Sequence, residues 1–259
     1  MFLAHALIVR HSGSMENASQ TARQRAREEI TAEILAAART RLGAVGSSEL
    51  SLRSVARDVG MVSSAVYRYF PSRDDLLTAL LIQAYDELGS AAEAADPRGA
   101  PLDRWMAVCR ATRAWAVSHR HEYALLYGTP VLGYAAPQDT VVPATRVIVR
   151  LVEIVFAADP EPVPPAGGDF STTAQGAVDA IAGLIDAPGN PPDPEVVGRA
   201  LMAWSGLFGA ISFELWGHLV GSISDHEAHF DQIALRLAAD IGLTPPTLTG
   251  DLATYQDPR

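Results

Sequence analysis

The stretch from Leu52 to Leu77, LRSVARDVGMVSSAVYRYFPSRDDLL, constrains this chain more than any other. Ser51 stands where a helix cap is wanted. Leu52, Val55, Ala56 and Val59 follow at helical spacing, so the first short helix has one apolar face. Gly60 comes next, at the point where a helix ends by turning left-handed, which only glycine does cheaply. A second short helix is predicted from Val62 to Tyr69. Pro71 ends it, because proline disfavours helical geometry in the residue before it. Ser72, with Asp75 three residues on, is the start signal of a third helix. Two short helices joined by a glycine turn form the unit whose second helix enters the major groove of DNA.

On these residues, Arg27 to Leu81 resembles the DNA-binding domain of the tetracycline-repressor (TetR) family. The resemblance is carried by Ile34, Ala37 and Ala38 in an opening helix, then Gly46, Leu52, Val55, Ala56, Gly60, Ala65, Val66, Tyr67, Tyr69, Phe70 and Leu76. Its most specific part is Val66-Tyr67-Arg68-Tyr69-Phe70 ahead of the Ser-Arg-Asp-Asp-Leu helix start. Two positions depart from the family. Val62 stands where Ser or Thr usually opens the recognition helix, with Ser63 one residue late as a substitute. Arg73 stands where Lys is usual and keeps the positive charge. The resemblance implies that Tyr67, Tyr69 and Arg73 touch phosphates.

The residue types extend that list. Ser63, Ser64 and Ala65 are small, which lets a recognition helix sit deep. Ala65 suits a thymine methyl, and serine donates or accepts at a base edge. Arg68 suits guanine or a phosphate, and Ser51 and Arg53 at the preceding helix start are further phosphate candidates. Phe70 reads better as packing than as contact; for Tyr67 the two readings stand level.

Charge is distributed as such a reading requires. The chain is acidic, net −10, and all 20 of its basic residues are Arg. Residues 1–80 nevertheless carry 10 Arg against 8 acids. A mildly basic head on an acidic body suits a protein that docks one end onto phosphate. Arg23, Arg25 and Arg27 precede the first apolar stripe, either as a basic arm or as solvated helix-start residues. The single cysteine, Cys109, permits no intrachain disulfide and fits a reducing compartment; a cytoplasmic location is expected. The run at 1–9 lacks a basic leader and is interrupted by His5, so it reads as a tail rather than a signal. Met15 begins a more ordinary start. The most apolar run, Ala200 to Phe213, is 14 residues, too short for a bilayer, and no membrane partner is expected.

Taken in order, the chain reads as all-α, without a strand pattern. A tail expected to be disordered at 1–16 leads into a helix-turn-helix head at 17–70, formed by three helices. A helical ligand-binding and dimerisation body follows at 71–242, and a Pro/Thr-rich tail at 243–259. The first helix is expected over 22–42, with Ile30, Ile34, Ala38 and Leu42 as its buried stripe. The fourth is expected over 72–95, longer than a three-helix head needs. Further helices are expected over 102–118, 119–127, 142–158, 172–185, 194–221 and about 225–241. Loops fall at 128–140, at the proline-rich 159–168 and at 187–193. The small residues Ser205, Gly206, Gly209 and Ser212 in the long apolar helix, with the amphipathic last helix, suggest a homodimer contact.

The body also carries Trp204-x-x-Leu207-Phe208-Gly209, similar to the Trp-x-x-Leu-His-Gly signature of one TetR C-terminal subfamily, with Phe208 in place of the His. It is rich in large aromatics. Trp105, Trp115, Tyr123, Tyr127, Phe156, Trp204 and Phe208 are the candidates for lining a small-molecule cavity between helices, against the plainer reading of each as core.

Catalytic and metal chemistry find little support. His226-Glu227-Ala228-His229 is one residue shorter than the His-Glu-x-x-His spacing of zinc proteases, and no metal site is expected. There is no Gly-rich phosphate loop or nucleophile elbow, and no cofactor or enzymatic activity is expected. The resemblance implies a ligand-responsive regulator, acting more as repressor than activator. It would bind a pseudo-palindromic operator in double-stranded DNA as a homodimer, and a small-molecule effector would release it. A ligand-binding or scaffolding protein with a degenerate DNA-binding head is the rival reading, invited by Val62. An enzyme using the body cavity is a weaker one.

Overall fold

A computed structural model describes residues 3–158, 174–182 and 193–243, with side chains described for 21–158, 174–179 and 193–243. These residues form ten α-helices and no strand. In order they are α1 (Leu3–Val45), α2 (Leu52–Asp58), α3 (Ser63–Val66), α4 (Arg73–Ala95) and α5 (Pro101–Ser118). Then come α6 (Arg120–Tyr127), α7 (Val141–Ala158), α8 (Gln175–Ala182), α9 (Pro194–Leu215) and α10 (His226–Ile241). A 3-10 turn, Gln138–Thr140, precedes α7. The all-helical reading of the sequence therefore holds. The helical backbone of α1 continues upstream of its expected start. The proline-rich loop expected over 159–168, most of the break at 187–193 and most of the tail at 243–259 lie outside the described residues.

The chain divides into two compact units. One comprises residues 1–83 and 121–140, the other 84–120 and 141–259. In the first, the stripe of α1 buries Ile34 and Ala38 against Leu52, Val55 and Ala56 of α2, Val66 of α3, and Leu76, Leu77 and Leu80 of α4. This is the burial that the helical spacing predicted. No sequence signal marks the rest of this unit. Leu125 of α6, with Val131 and Tyr134 of the loop after it, packs on the same core. Tyr134 shares a 2.9 Å hydrogen bond with Thr78 of α4, and Glu122 of α6 pairs with Arg39 of α1.

In the second unit, α9 and α10 pack together and both meet α5, while α7 packs against α5 and α9. Trp105 is fully buried, and its indole N–H donates to the Ala234 carbonyl at 3.1 Å, so α5 and α10 are joined by a satisfied polar contact inside an apolar core. Helix α9 ends at Leu215, six residues short of the expected Gly221, where Trp216 caps it and Gly217 turns left-handed. At 22 residues it is long and apolar enough by composition to cross a membrane. It buries Val197, Ala200, Ala203, Leu207 and Ile211 in this unit, together with Arg199, whose guanidinium donates to Glu195 and to the last-turn carbonyl of Asp240. An apolar core helix passes the same composition test.

Candidate nucleic-acid interface

The interface is built by α2, a glycine turn and α3. Ser51 caps α2: its Oγ accepts the backbone N–H of Ser54 at 3.2 Å, and the Ser54 hydroxyl returns a bond to the Ser51 carbonyl at 2.7 Å. Gly60 then takes φ +67°, which lets Gly60 N–H reach Arg57 O at 3.2 Å and Met61 N–H reach Ala56 O at 2.8 Å. This pair of crossed bonds closes the helix and aims the chain into α3. An ion pair fixes α2 against α1: Arg41 holds Asp58 through two bonds of 2.6 Å. That guanidinium keeps the Asp58 carboxyl below the usual carboxylate range.

Helix α3 is shorter than the sequence predicts, four residues rather than the expected span to Tyr69. Beyond Val66 its bonds become mixed: Arg68 N–H to Ala65 O at 3.2 Å and Tyr69 N–H to Val66 O at 2.9 Å follow the tighter i−3 pattern, while Tyr67 N–H to Ser63 O at 3.1 Å and Phe70 N–H to Val66 O at 3.0 Å keep the i−4 one. Two causes are local. Val62 at the N-cap offers no side-chain acceptor, so the first turn is uncapped, and Pro71 excludes helical geometry from Phe70. Neither Ser63 nor any other side chain supplies that cap.

The predicted contact residues separate by environment. Arg53, Ser64, Tyr67 and Arg68 are exposed, and Ser63, Ala65 and Tyr69 are half-buried. Val66 and Phe70 are core, so Phe70 packs, as its residue type suggested. Tyr67 is 43% exposed and does not join that core. Val62 is 70% exposed, an apolar side chain facing solvent at the start of the helix. Ser51 spends its hydroxyl on its own cap. Arg73 is half-buried and turned inward: Nε donates to Leu50 O at 2.9 Å, and Nη2 donates to Ser47 O at 2.7 Å and Ser48 O at 3.4 Å. Arg27 of α1 was not singled out above its neighbours Arg23 and Arg25. It lies over the Tyr69 ring at 5.3 Å and donates to the Arg68 carbonyl at 3.4 Å, so it braces the end of the recognition segment from behind. Sequence spacing gives no sign of this, because the contact spans 41 residues.

The candidate ligand residues fall in both units. Tyr123 and Tyr127 belong to the first unit, their rings 5.1 Å apart. The other five belong to the second. There Trp105, Trp115 and Phe208 are core, Trp115 stacks on His119, and Phe156 packs beside Val152, Val178 and Val197. Trp204 and Phe208 lie one helical turn apart with ring centroids at 5.7 Å. A groove of about 190 Å³ on the second unit is lined by other residues: Glu93, Val142, Thr145, Arg146, Val149, Arg150 and Glu153. Arg146 ties its wall together, donating to Glu93, Ser90 and both the carbonyl and carboxylate of Asp86. Cys109 is fully enclosed and burial pushes its thiol far up, which makes it an inert core residue. Asp225, beside the paired histidines, is occupied as the α10 cap through the Ala228 N–H at 2.9 Å.

Comparison with known proteins meets this geometry at both ends of the chain. Residues 34–80 match the model of bacterial regulatory proteins of the tetR family, and residues 105–237 match that of the tetracyclin repressor-like C-terminal domain. An HTH-type transcriptional regulator of Mycobacterium tuberculosis is 41% identical over 204 residues, covering 75% of this chain and 84% of that protein. The HTH-type transcriptional repressor LfrR of Mycolicibacterium smegmatis is 42% identical over 53 residues, 20% of this chain and 28% of that one. Among solved structures, the regulatory protein SCO4313 superposes with a TM-score of 0.66 at 33% identity, covering 83% of this chain and 98% of that one.

Proposed function

We infer how this chain works from one premise: it belongs to the TetR family of bacterial DNA-binding transcriptional regulators. The observation that carries the reading is the exposed set Arg53, Ser64, Tyr67 and Arg68 on a glycine-closed helix pair whose first helix is capped by Ser51. In this proposal α3 enters the major groove and Ser63, Ser64 and Ala65 meet base edges. Tyr67, Arg68, Tyr69, Arg53 and the N-terminus of α2 at Ser51 hold the flanking phosphates. Repression is the proposed output. The short stretch shared with a named repressor supports it.

Two copies would present two such units to a pseudo-palindromic operator. Support for pairing comes from α9, α10 and the turn between them, where Met202, Phe213, Trp216, Val220 and Leu235 are large, apolar and exposed. A small molecule in the second unit would bias α4, which contributes residues to both units. It releases the DNA only if it binds the DNA-free arrangement more tightly. We place the protein in the cytoplasm, where its operator is.

The test is retention of a duplex selected by the protein from a randomised library, measured across a salt series. Binding that falls steeply with salt is expected. A protein that retains no duplex at low salt would instead be the ligand-binding or scaffolding rival.

A further inference from the structure

Arg73 takes the place of a family phosphate contact, yet its guanidinium is spent inside the protein. We propose that Arg73 is a positioning residue for operator recognition, acting through the α1–α2 loop and not through a phosphate. The proposal rests on the DNA-binding reading above.

The loop between α1 and α2 runs from Gly46 to Ser51 and holds the chain that must deliver the α2 cap. Its carbonyls at Ser47, Ser48 and Leu50 converge on the one guanidinium. Leu50 is itself buried, so its carbonyl has no ready exchange with water and needs a protein donor. Arg73 supplies Nε–H to Leu50 and Nη2–H to Ser47 from one edge of a rigid planar fork. Leu50 is followed at once by Ser51, whose Oγ opens α2. Fixing these carbonyls therefore fixes where α2 begins and how Arg53 is presented.

The start of α4 is held independently. Ser72 and Asp75 form a reciprocal cap, with Ser72 N–H donating to Asp75 Oδ2 at 2.9 Å and Asp75 N–H to Ser72 Oγ at 3.1 Å. Arg73 is thus not needed to start its own helix, and its side chain is free to serve the loop. A lysine at this place keeps the charge but cannot set two donors along one edge, so the two residues are not equivalent here.

Three proteins, wild type, Arg73→Lys and Arg73→Gln, are compared on the library-selected duplex over a salt series, with Arg68→Ala as the reference for an exposed contact. Arg73→Gln is expected to bind about tenfold more weakly, and both Arg73 variants should keep the salt slope of the wild type. Arg68→Ala should lower that slope by about 0.9, the loss of one phosphate contact. Lysine at 73 should restore less than half of the lost affinity on a logarithmic scale. A slope reduced in Arg73→Gln and recovered in Arg73→Lys would overturn the proposal and make Arg73 a phosphate contact.

A measurement on wild type removes any dependence on folding of the variants. Arginine-selective modification with phenylglyoxal, read by mass spectrometry, should find Arg73 slow to react in the free protein and no slower with duplex bound. Arg68 should be reactive and then protected. Protection of Arg73 by the duplex would overturn the proposal. Wild type that binds no duplex would overturn both this and the reading it rests on.

Discussion

Leu237 of α10 lies against Gly206 of α9: a β-carbon at position 206 would come within 3.2 Å of the leucine Cδ1. The small residue thus serves the packing of the last two helices within one chain. The sequence suggested it for contact with a second copy. Gly209, three residues on, has open space where a β-carbon would stand.

Gly206→Ala should change unfolding free energy by less than about 1 kcal/mol. The helix propensity gained, ~1 kcal/mol, offsets a displacement of half-buried Leu237. Gly206→Leu should cost about 2 kcal/mol, since the larger side chain must move α10 itself. Urea denaturation checks both, and a leucine variant as stable as wild type would mean the helices do not meet here.

The proposed pairing between copies rests on exposed apolar side chains. Phe213 is 54% exposed and Trp216 46%. Phe213→Glu combined with Trp216→Glu should leave the fold unchanged by circular dichroism and shift light-scattering mass to that of one chain at micromolar concentration. A wild type that is already monomeric there would remove the proposed interface.

Arg113 of α5 and Glu214 of α9 form a two-point ion pair, Nε to Oε2 at 2.8 Å and Nη2 to Oε1 at 2.7 Å, with both side chains mostly enclosed. Glu214→Ala strands the guanidinium and should cost about 3 kcal/mol. Replacing both residues by methionine should cost less than that single change, because no unpaired charge remains. Equal costs for the single and double variants would show that the pair carries no coupling.

Acid should weaken the second unit in a defined way. Arg104 grips Asp96 through two bonds of 2.8 Å and holds its carboxyl below the usual carboxylate range; Arg146 does the same to Glu93. A carboxyl depressed in the folded state stabilises it above the unfolded pKa of about 4 and loses that contribution as pH falls through the lower folded value. Urea midpoints should therefore drop more between pH 6 and about 3 in wild type than in Asp96→Asn. An identical drop in both would place the acid sensitivity elsewhere.

Most of the helix pattern was legible in local signals. Ser51, Gly60 and the Ser72–Asp75 pair each mark an element boundary by chemistry that acts over three or four residues. The stripe Ile34, Ala38, Leu42 declared its buried face by spacing alone, and the run Val66–Phe70 carried the family resemblance. Those statements need no knowledge of what lies across the core. The short extent of α3 was half legible, since Val62 was visible as a missing cap while the tightening beyond Val66 was not.

What the tertiary structure decided are the partners separated by long stretches of chain. That Arg73 faces Leu50 and Ser47, that Arg27 covers Tyr69, that Leu237 fills the space at Gly206, and that residues 121–140 join the unit built on α1 to α3 all depend on which surfaces meet. Helical periodicity tells which face of a segment is buried. It does not tell against what, because an apolar stripe satisfies the hydrophobic effect against any matching stripe. An arginine is charged wherever it lies, and only the fold determines whether a carbonyl or a phosphate accepts its hydrogen bonds.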